Sequence, residues 1–455
     1  MQTSVPLEEA ALFTDLYELT MAASYLAEGM FEPATFSLFI RNYPEDRAYF
    51  VSAGLETVLD YLQNFHFSPV AVDYLRGTGL FKPDVLAYLS TLRFTGEVYA
   101  IPEGRLFFVD EPVLEVTAPV IEAQIIETYI VNAVHLETIL ATKASRCAYA
   151  ARGRPVVDFS LRRTPGADAG MKLARACFIT GFASTSNVLA GKRYGMPTSG
   201  TMAHSYVTSF PREIDAFRAF ARAFPDRTTL LLDTYDTLAG ARKAVLVARE
   251  MEQQGKRLAA VRLDSGDMIT LAKQVRAILD EAGLHHVGIF ASGGFDEYKI
   301  DEALEAGAPI DGFGVGTKVG TSADAPWMDM VYKMVHYGRR AVMKRSTGKA
   351  TLADRKQVFR LRDSAGMFAR DVIGLRDDDV PGAEKLLVRV MARGERVGPA
   401  PSLAQVREAF QRDFAALPEQ YKGLVRLPRY PVEISPRLRA LQEALDADLR
   451  QKEVG

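Results

Sequence analysis

Apolar, often β-branched runs alternate with amphipathic stretches from Arg154 to about Gly316. PVVDFSL, MPTSGT, TTLLLDTY, LAAVRLDSG, HVGIFASGG and PIDGFGVGT read as six strands, ending in Gly, Ser, Asp, Thr or a basic residue. Between them, ADAGMKLARACFITG, PREIDAFRAFARAF, the segment from Thr237, MITLAKQVRAILDEAG and DEYKIDEALEAG place apolar residues at helical spacing. This is the signature of parallel βαβ units, which build either an open doubly wound sheet or a closed barrel. Polar and Gly residues stand at the C-terminal end of nearly every strand. That distribution favours the barrel, because an open sheet concentrates such residues at one switch point.

The pattern differs on either side. Residues 31–120 alternate short strands and helices: FEPATFSLFI, the helix LETVLDYLQNF, and RFTGEVYAIPEGRLFFVDEPVLEVTAPV, whose runs broken by Gly and Pro read as an antiparallel meander. Helical EAQIIETYIVNAVHLETILATKASRCAYAA then leads into the βαβ region. After it, MVYKMVHYGRRAVMK and RKQVFRLRD return to β patterning, and AQVREAFQRDFAAL and SPRLRALQEALDADLRQ give late helices. The expected division is an N-terminal α+β domain over 1–130, a catalytic β/α barrel over 131–335, and C-terminal strands and helices over 336–455.

A chain of 455 residues fits two or three domains, since single cores stop growing at roughly 250–300 residues. Lys plus Arg is 55 against 57 for Asp plus Glu, a net charge of −2 with no block of like charge. A nucleic-acid footprint is therefore not expected, although a local basic pocket for phosphates is compatible with this balance. Cys147 and Cys177 lack the spacing of a zinc site or a disulfide framework. MQTSVPLEEAA carries no basic segment followed by an apolar one, and no apolar run approaches the roughly 20 residues that span a bilayer. The expectation is a cytoplasmic protein with no membrane partner.

Candidate chemistry collects at the strand ends. His204 follows MPTSGT, and an imidazole nitrogen there can accept a phosphoryl group from ATP; a lone hydrogen-bonded histidine is the alternative. Arg162 and Arg163 end PVVDFSL and Arg262 ends LAAVR, setting guanidinium forks for carboxylate or phosphate at the barrel mouth. Tyr17 and Phe159 offer flat walls to a planar ring, an interaction of roughly 0.5–1.5 kcal/mol beyond area burial, or else serve as core aromatics. Gly293, Gly294, Gly314 and Gly316 lie at the ends of the last two strands, where backbone amides and helix starts bind phosphate, and Thr317 adds a hydroxyl. Asp233 and Asp264 can position ribose hydroxyls or hold magnesium; capping the next helix is their alternative role. Asp15, Arg41, Lys318 and Lys333 are further candidates for a pyrophosphate side.

The order DFSLRR, GFASTSNVLAG, GTMAHS between Asp158 and Ser205, with LFTDLYELTM near the N-terminus, resembles the nicotinate phosphoribosyltransferases. The likeness runs to about Val335. It implies an irregular type II phosphoribosyltransferase barrel, with an N-terminal α+β domain completed by the C-terminal strands and helices. It also implies joining of nicotinate to 5-phosphoribosyl 1-pyrophosphate, giving nicotinate mononucleotide and pyrophosphate in NAD biosynthesis. By matching positions, His204 is the histidine phosphorylated by ATP, Arg262 holds the pyridine carboxylate, and Thr201 contacts nicotinate. Tyr17 and Phe159 stack on the ring, Tyr17 from the partner subunit of a homodimer. Arg162 matches a position that contacts the phosphoribosyl side; from the residues themselves Asp264, Gly293, Gly294, Gly316 and Thr317 are assigned to that side as well, and Asp233 to a magnesium ion.

Nicotinamide-using relatives carry an aspartate where this chain has Ser186. A carboxylate would repel the nicotinate anion in a low-dielectric pocket and a hydroxyl does not, so nicotinate is the expected substrate. Ser160 stands where family members usually have Gly, and TPGADAG departs from their usual segment. Two cysteines cannot build the zinc module of some archaeal relatives, and the type I phosphoribosyltransferase signature is missing. The rival readings are a nicotinamide or quinolinate phosphoribosyltransferase and a non-catalytic metabolite-binding barrel.

Overall fold

The computed structural model describes residues 5–346 and 351–453. The chain forms two compact units, one of residues 1–142 with 325–455 and one of residues 143–324. These limits differ from those expected at 131 and 335. Residues 336–455 share a unit with the N-terminal segment, on which they were expected to pack.

Unit 143–324 holds a six-stranded sheet, parallel at every join, in the order Ser184–Thr185, Val156–Asp158, Gly312–Val315, Gly288–Ala291, Ala260–Leu263, Thr229–Leu231. The first strand in sequence lies beside the last, and the order then descends through the chain. An open doubly wound sheet reverses at a switch point; this order is cyclic, as in a barrel. Among the described strands the join between Ser184–Thr185 and Thr229–Leu231 is not made, so one seam stays open and a closed barrel is not formed by backbone pairing.

One expected strand moves. The second position belongs to Ser184–Thr185, and MPTSGT meets it only through an isolated bridge between Thr185 and Thr198. Gly195, in the left-handed region at φ +67°, and Pro197, which has no N–H, prevent a longer ladder here.

Short aspartate caps start the helices that follow the strands. Asp236 accepts from the Ala239 amide at 2.7 Å, Asp267 from those of Ile269 and Thr270, and Asp296 from that of Lys299 at 3.0 Å. They open the helices Thr237–Gln253, Met268–Glu281 and Glu297–Glu305. Asp233 and Asp264 each sit three residues before a cap. The capping role open to them in the sequence is filled, and their carboxylates are left for the strand-end face.

In the other unit a seven-stranded sheet runs Arg340–Ala341, Met330–Tyr337, Pro33–Ile40, Leu114–Pro119, Glu97–Ala100, Val388–Ala392, Glu395–Arg396. N-terminal strands thus occupy its centre and C-terminal strands both flanks. Pro33–Ile40 is buried from Ala34 onward, and Phe36 stacks on Tyr332 of its antiparallel neighbour at 4.7 Å. The expected meander is partly rearranged, because Leu106–Phe107 pairs with Phe50–Val51 in a separate ribbon. A second sheet of Glu384–Lys385, Lys356–Arg362, Phe368–Leu375 and Val432–Ile434 encloses Arg360, which is fully buried and donates to Asp371 and Asp413. Such a network persists because each charge has a partner; removing one would strand another in a low-dielectric interior.

Candidate active site

Arg262 is the hub of the strand-end face. Its guanidinium donates through Nε to Ser292 Oγ at 2.8 Å, through Nη1 to Thr201 Oγ1 at 3.0 Å and Met202 O at 3.2 Å, and through Nη2 to Asp264 Oδ1 at 2.8 Å. Arginine has five N–H groups. Four are committed among the described residues, so one N–H on Nη2 remains for a ligand, and a full fork requires one partner to yield. The guanidinium carbon also lies 5.3 Å from the centroid of the Phe159 ring, within cation–π range.

His204 opens the short helix His204–Thr208 rather than ending a strand. Its Nδ1 lies 3.2 Å from Thr234 Oγ1 and its Nε2 3.8 Å from Asp264 Oδ2, and the ring is 44 % exposed, so an incoming phosphate can reach it. Burial works to raise the Asp264 carboxyl. The Ser292 hydrogen bond, the Arg262 bond and charge, and His204 outweigh it and hold the group below the ordinary carboxylate range. One carboxylate therefore serves both the arginine and the histidine.

Asp233 completes the cluster. Its Oδ2 accepts from the Asp264 amide at 3.2 Å and from the Ser265 hydroxyl, while Oδ1 is buried with no hydrogen-bond partner. A buried carboxylate oxygen without a donor is costly, and a cation would satisfy it. No group of three His, Cys, Asp or Glu ligands occurs among the described residues.

Phe159 is half-buried. Its ring lies against Phe290 at 5.9 Å and over Gly314, where an added Cβ would come within 2.6 Å of the ring. Gly314 is thus explained by this aromatic packing and not by an anion. Asp158, fully buried one residue earlier, accepts from Ser160 and Thr185, which ties the loop after the first strand to the second strand. Ser186 donates its amide to Asp158 O at 2.8 Å. Arg162 and Arg163 are exposed in the turn beyond the strand, which ends at Asp158.

Gly293 at φ +92° and Gly294 at φ +73° form the loop after Gly288–Ala291. A Cβ at Gly293 would stand 1.8 Å from the Asp264 carbonyl oxygen, so the backbone approach there demands glycine. Gly316 and Thr317 form the neighbouring loop. The helix after it, Thr317–Gly320, is a single turn with little macrodipole, so what this loop can offer an anion is its amides and the exposed Thr317 hydroxyl.

Three family models match in sequence along the chain: the nicotinate phosphoribosyltransferase N-terminal domain over residues 12–135, the nicotinate phosphoribosyltransferase family over 155–363, and the C-terminal domain over 382–442. A nicotinate phosphoribosyltransferase of Mycobacterium tuberculosis is 47% identical over 430 residues, covering 94% of this chain and 92% of that protein. The chain belongs to the nicotinate phosphoribosyltransferase family. The Bacillus subtilis member is 36% identical over 461 residues, covering 94% of this chain and 93% of its own length. The crystal structure of human nicotinic acid phosphoribosyltransferase matches the fold with a TM-score of 0.85 at 29% identity, over 95% of this chain and 99% of that one.

The structure joins Arg262, Thr201, Asp264 and Asp233 by hydrogen bonds and sets His204 3.8 Å from the Asp264 carboxylate, with Phe159 beside the cluster. Ser292, Thr234 and Ser265 were missed from sequence; each adjoins a recognised residue at a strand end, which was the available signal. Tyr17, Asp15, Arg41 and Lys333 belong to the other unit. Tyr17 is 46% exposed near the start of helix Leu16–Ala27. Asp15 accepts from Thr128 at 3.0 Å, Arg41 pairs with Asp329 at 3.6 Å, and Lys333 pairs with Glu127 at 3.6 Å.

Proposed function

We propose that this chain is an ATP-dependent nicotinate phosphoribosyltransferase, active in the cytoplasm in NAD biosynthesis. The supporting observation is the single cluster in which the Asp264 carboxylate bonds Arg262 and flanks His204. It sets a guanidinium and an exposed imidazole on either side of one carboxylate, which supports this reading.

In this reading the pyridine nitrogen attacks the anomeric carbon of 5-phosphoribosyl 1-pyrophosphate, the carbon–oxygen bond to pyrophosphate breaks, and nicotinate mononucleotide forms. Arg262 offers its free N–H to the nicotinate carboxylate, with Thr201 as the partner positioned to yield. Phe159 provides one wall for the ring, and Tyr17 of a second subunit the other. Ser186 presents a hydroxyl where a carboxylate would repel the substrate. Gly293, Gly294, Gly316, Thr317 and Arg162 receive the phosphoribosyl group.

Orientation and electrostatic stabilisation carry the chemical step. Asp233 Oδ1, with Asp264 beside it, would hold magnesium; the ion supplies charge neutralisation on the leaving pyrophosphate. ATP transfers its γ-phosphoryl to His204, ADP leaves, and later hydrolysis of the phosphohistidine releases phosphate and restores the imidazole. The test is nicotinate-dependent release of pyrophosphate from 5-phosphoribosyl 1-pyrophosphate, with and without ATP, and with nicotinamide in place of nicotinate. Release with nicotinate that ATP stimulates is expected; no release with either pyridine removes the reading.

A further inference from the structure

Two loops follow adjacent parallel strands: Ser292 to Asp296 after Gly288–Ala291, and Gly316 to Lys318 after Gly312–Val315. An ion pair crosses between them. Lys318 Nζ donates to Asp296 Oδ2 at 2.6 Å, with Asp296 almost wholly buried and Lys318 37% exposed. The other oxygen, Oδ1, accepts from the Lys299 amide at 3.0 Å. One carboxylate thus caps the helix Glu297–Glu305 and holds the neighbouring loop.

That helix is pinned from behind. Glu297 is fully buried, with Oε2 2.5 Å from Lys143 Nζ and Oε1 accepting from Arg146 Nε at 2.9 Å. Lys143 also meets Asp324 at 2.6 Å. Two cations of one helix therefore fix the first turn of another, directly beside Asp296. On its far side the loop runs close to the Asp264 carbonyl, where a Cβ at Gly293 would not fit. Asp296 is thus the buried, doubly bonded partner, and Lys318 the partly exposed one.

We infer that the Asp296–Lys318 pair is a latch that sets the spacing of the two loops receiving the phosphoribosyl group, which makes both residues positioning residues and not ligands. The inference rests on the phosphoribosyltransferase reading above. Asp296 is almost wholly buried, so removing Lys318 leaves its carboxylate without a cation and costs some stability as well as loop geometry, which is why thermal midpoints are read beside the kinetics.

Asp296→Asn keeps an acceptor for the Lys299 amide and removes the charge and the acceptor oxygen that Lys318 uses. Lys318→Met removes the other half, and Lys318→Arg replaces it. Steady-state kinetics in both substrates, with thermal midpoints, separate the outcomes. Asp296→Asn and Lys318→Met should each raise KM for 5-phosphoribosyl 1-pyrophosphate about tenfold, with KM for nicotinate within about twofold. The double variant should be no worse than either single one, because both break the same contact. Lys318→Arg should recover most of the loss.

The latch is overturned if Lys318→Met raises that KM while Asp296→Asn does not, since the lysine is then a direct ligand. It is equally overturned by losses that add in the double variant, or by an equal rise in KM for nicotinate. Should the unaltered enzyme release no pyrophosphate at all, the catalytic reading fails and hydrogen exchange decides the latch. Faster exchange of amides in both loops of Asp296→Asn then supports it, and unchanged exchange removes it.

Discussion

Arg262 and Asp264 stand two residues apart at one strand end, on the same side of the chain, and bond each other through Nη2 and Oδ1 at 2.8 Å. The residue proposed to read the substrate carboxylate and the carboxylate beside His204 are therefore one electrostatic unit. Changing either resets the other.

The first prediction follows from that coupling. Arg262→Ala leaves the nicotinate anion without its partner, and charge-assisted hydrogen bonds are worth about 1.5–3 kcal/mol. Nicotinate affinity should fall about tenfold or more by calorimetric titration. Asp264 also loses a hydrogen bond and a nearby positive charge, so its carboxyl should titrate higher than in the unaltered protein. Equal nicotinate affinity in the two proteins removes the assignment.

A second prediction isolates the phosphoryl acceptor. With γ-labelled ATP, His204→Ala should take up no acid-labile phosphate and should lose ATP stimulation, while some slow synthesis persists from binding and orientation alone. Undiminished labelling moves the acceptor elsewhere.

How far these positions were legible depended on distance along the chain. Runs such as LAAVRLDSG and HVGIFASGG announce their strands and turns locally, so Arg262, Asp264 and Gly293 could be placed at strand ends. Ser184–Thr185 could not, because a two-residue strand among small hydroxyl residues has no periodicity, and MPTSGT offered a longer decoy. The roles of Ser292 and Thr234 are contacts across about 30 residues that no spacing rule encodes. Nor does local pattern reveal that Pro33–Ile40 pairs with Met330–Tyr337, from the opposite side of the inserted unit. Whether Asp233 capped a helix or faced the site was decided only by finding Asp236 as the cap.

Glu18 supplies a pH prediction. It is buried, accepts from the Thr128 amide at 3.1 Å and from the Thr128 and Thr14 hydroxyls, yet burial dominates these bonds and its carboxyl is pushed from 4.5 up to about 7. Between those values the folded state holds a proton that the unfolded chain has released. Stability from this group therefore falls as pH rises through the window. Glu18→Gln cannot release that proton, so its thermal midpoint should gain on the unaltered protein from pH 4.5 to pH 7. Parallel pH curves for the two proteins refute the argument.

The last prediction concerns Tyr17. Its ring and that of Phe159 belong to different units, it is 46% exposed, and its neighbour Leu16 is 54% exposed. Partial burial, with Glu127 and Glu18 nearby, raises its phenol, so the ring stays neutral at physiological pH. Two adjacent apolar side chains left open at a helix start suit coverage by a second copy of the chain. If Tyr17 enters the partner's pyridine site, mixing Tyr17→Ala subunits with His204→Ala subunits should restore activity in heterodimers. One composite site then receives an intact tyrosine and an intact histidine, and the other carries both lesions. Stacking within a single subunit predicts no recovery, since every site would carry one lesion. Heterodimers verified by mass and still inactive would leave Tyr17 acting within its own chain or serving structure alone.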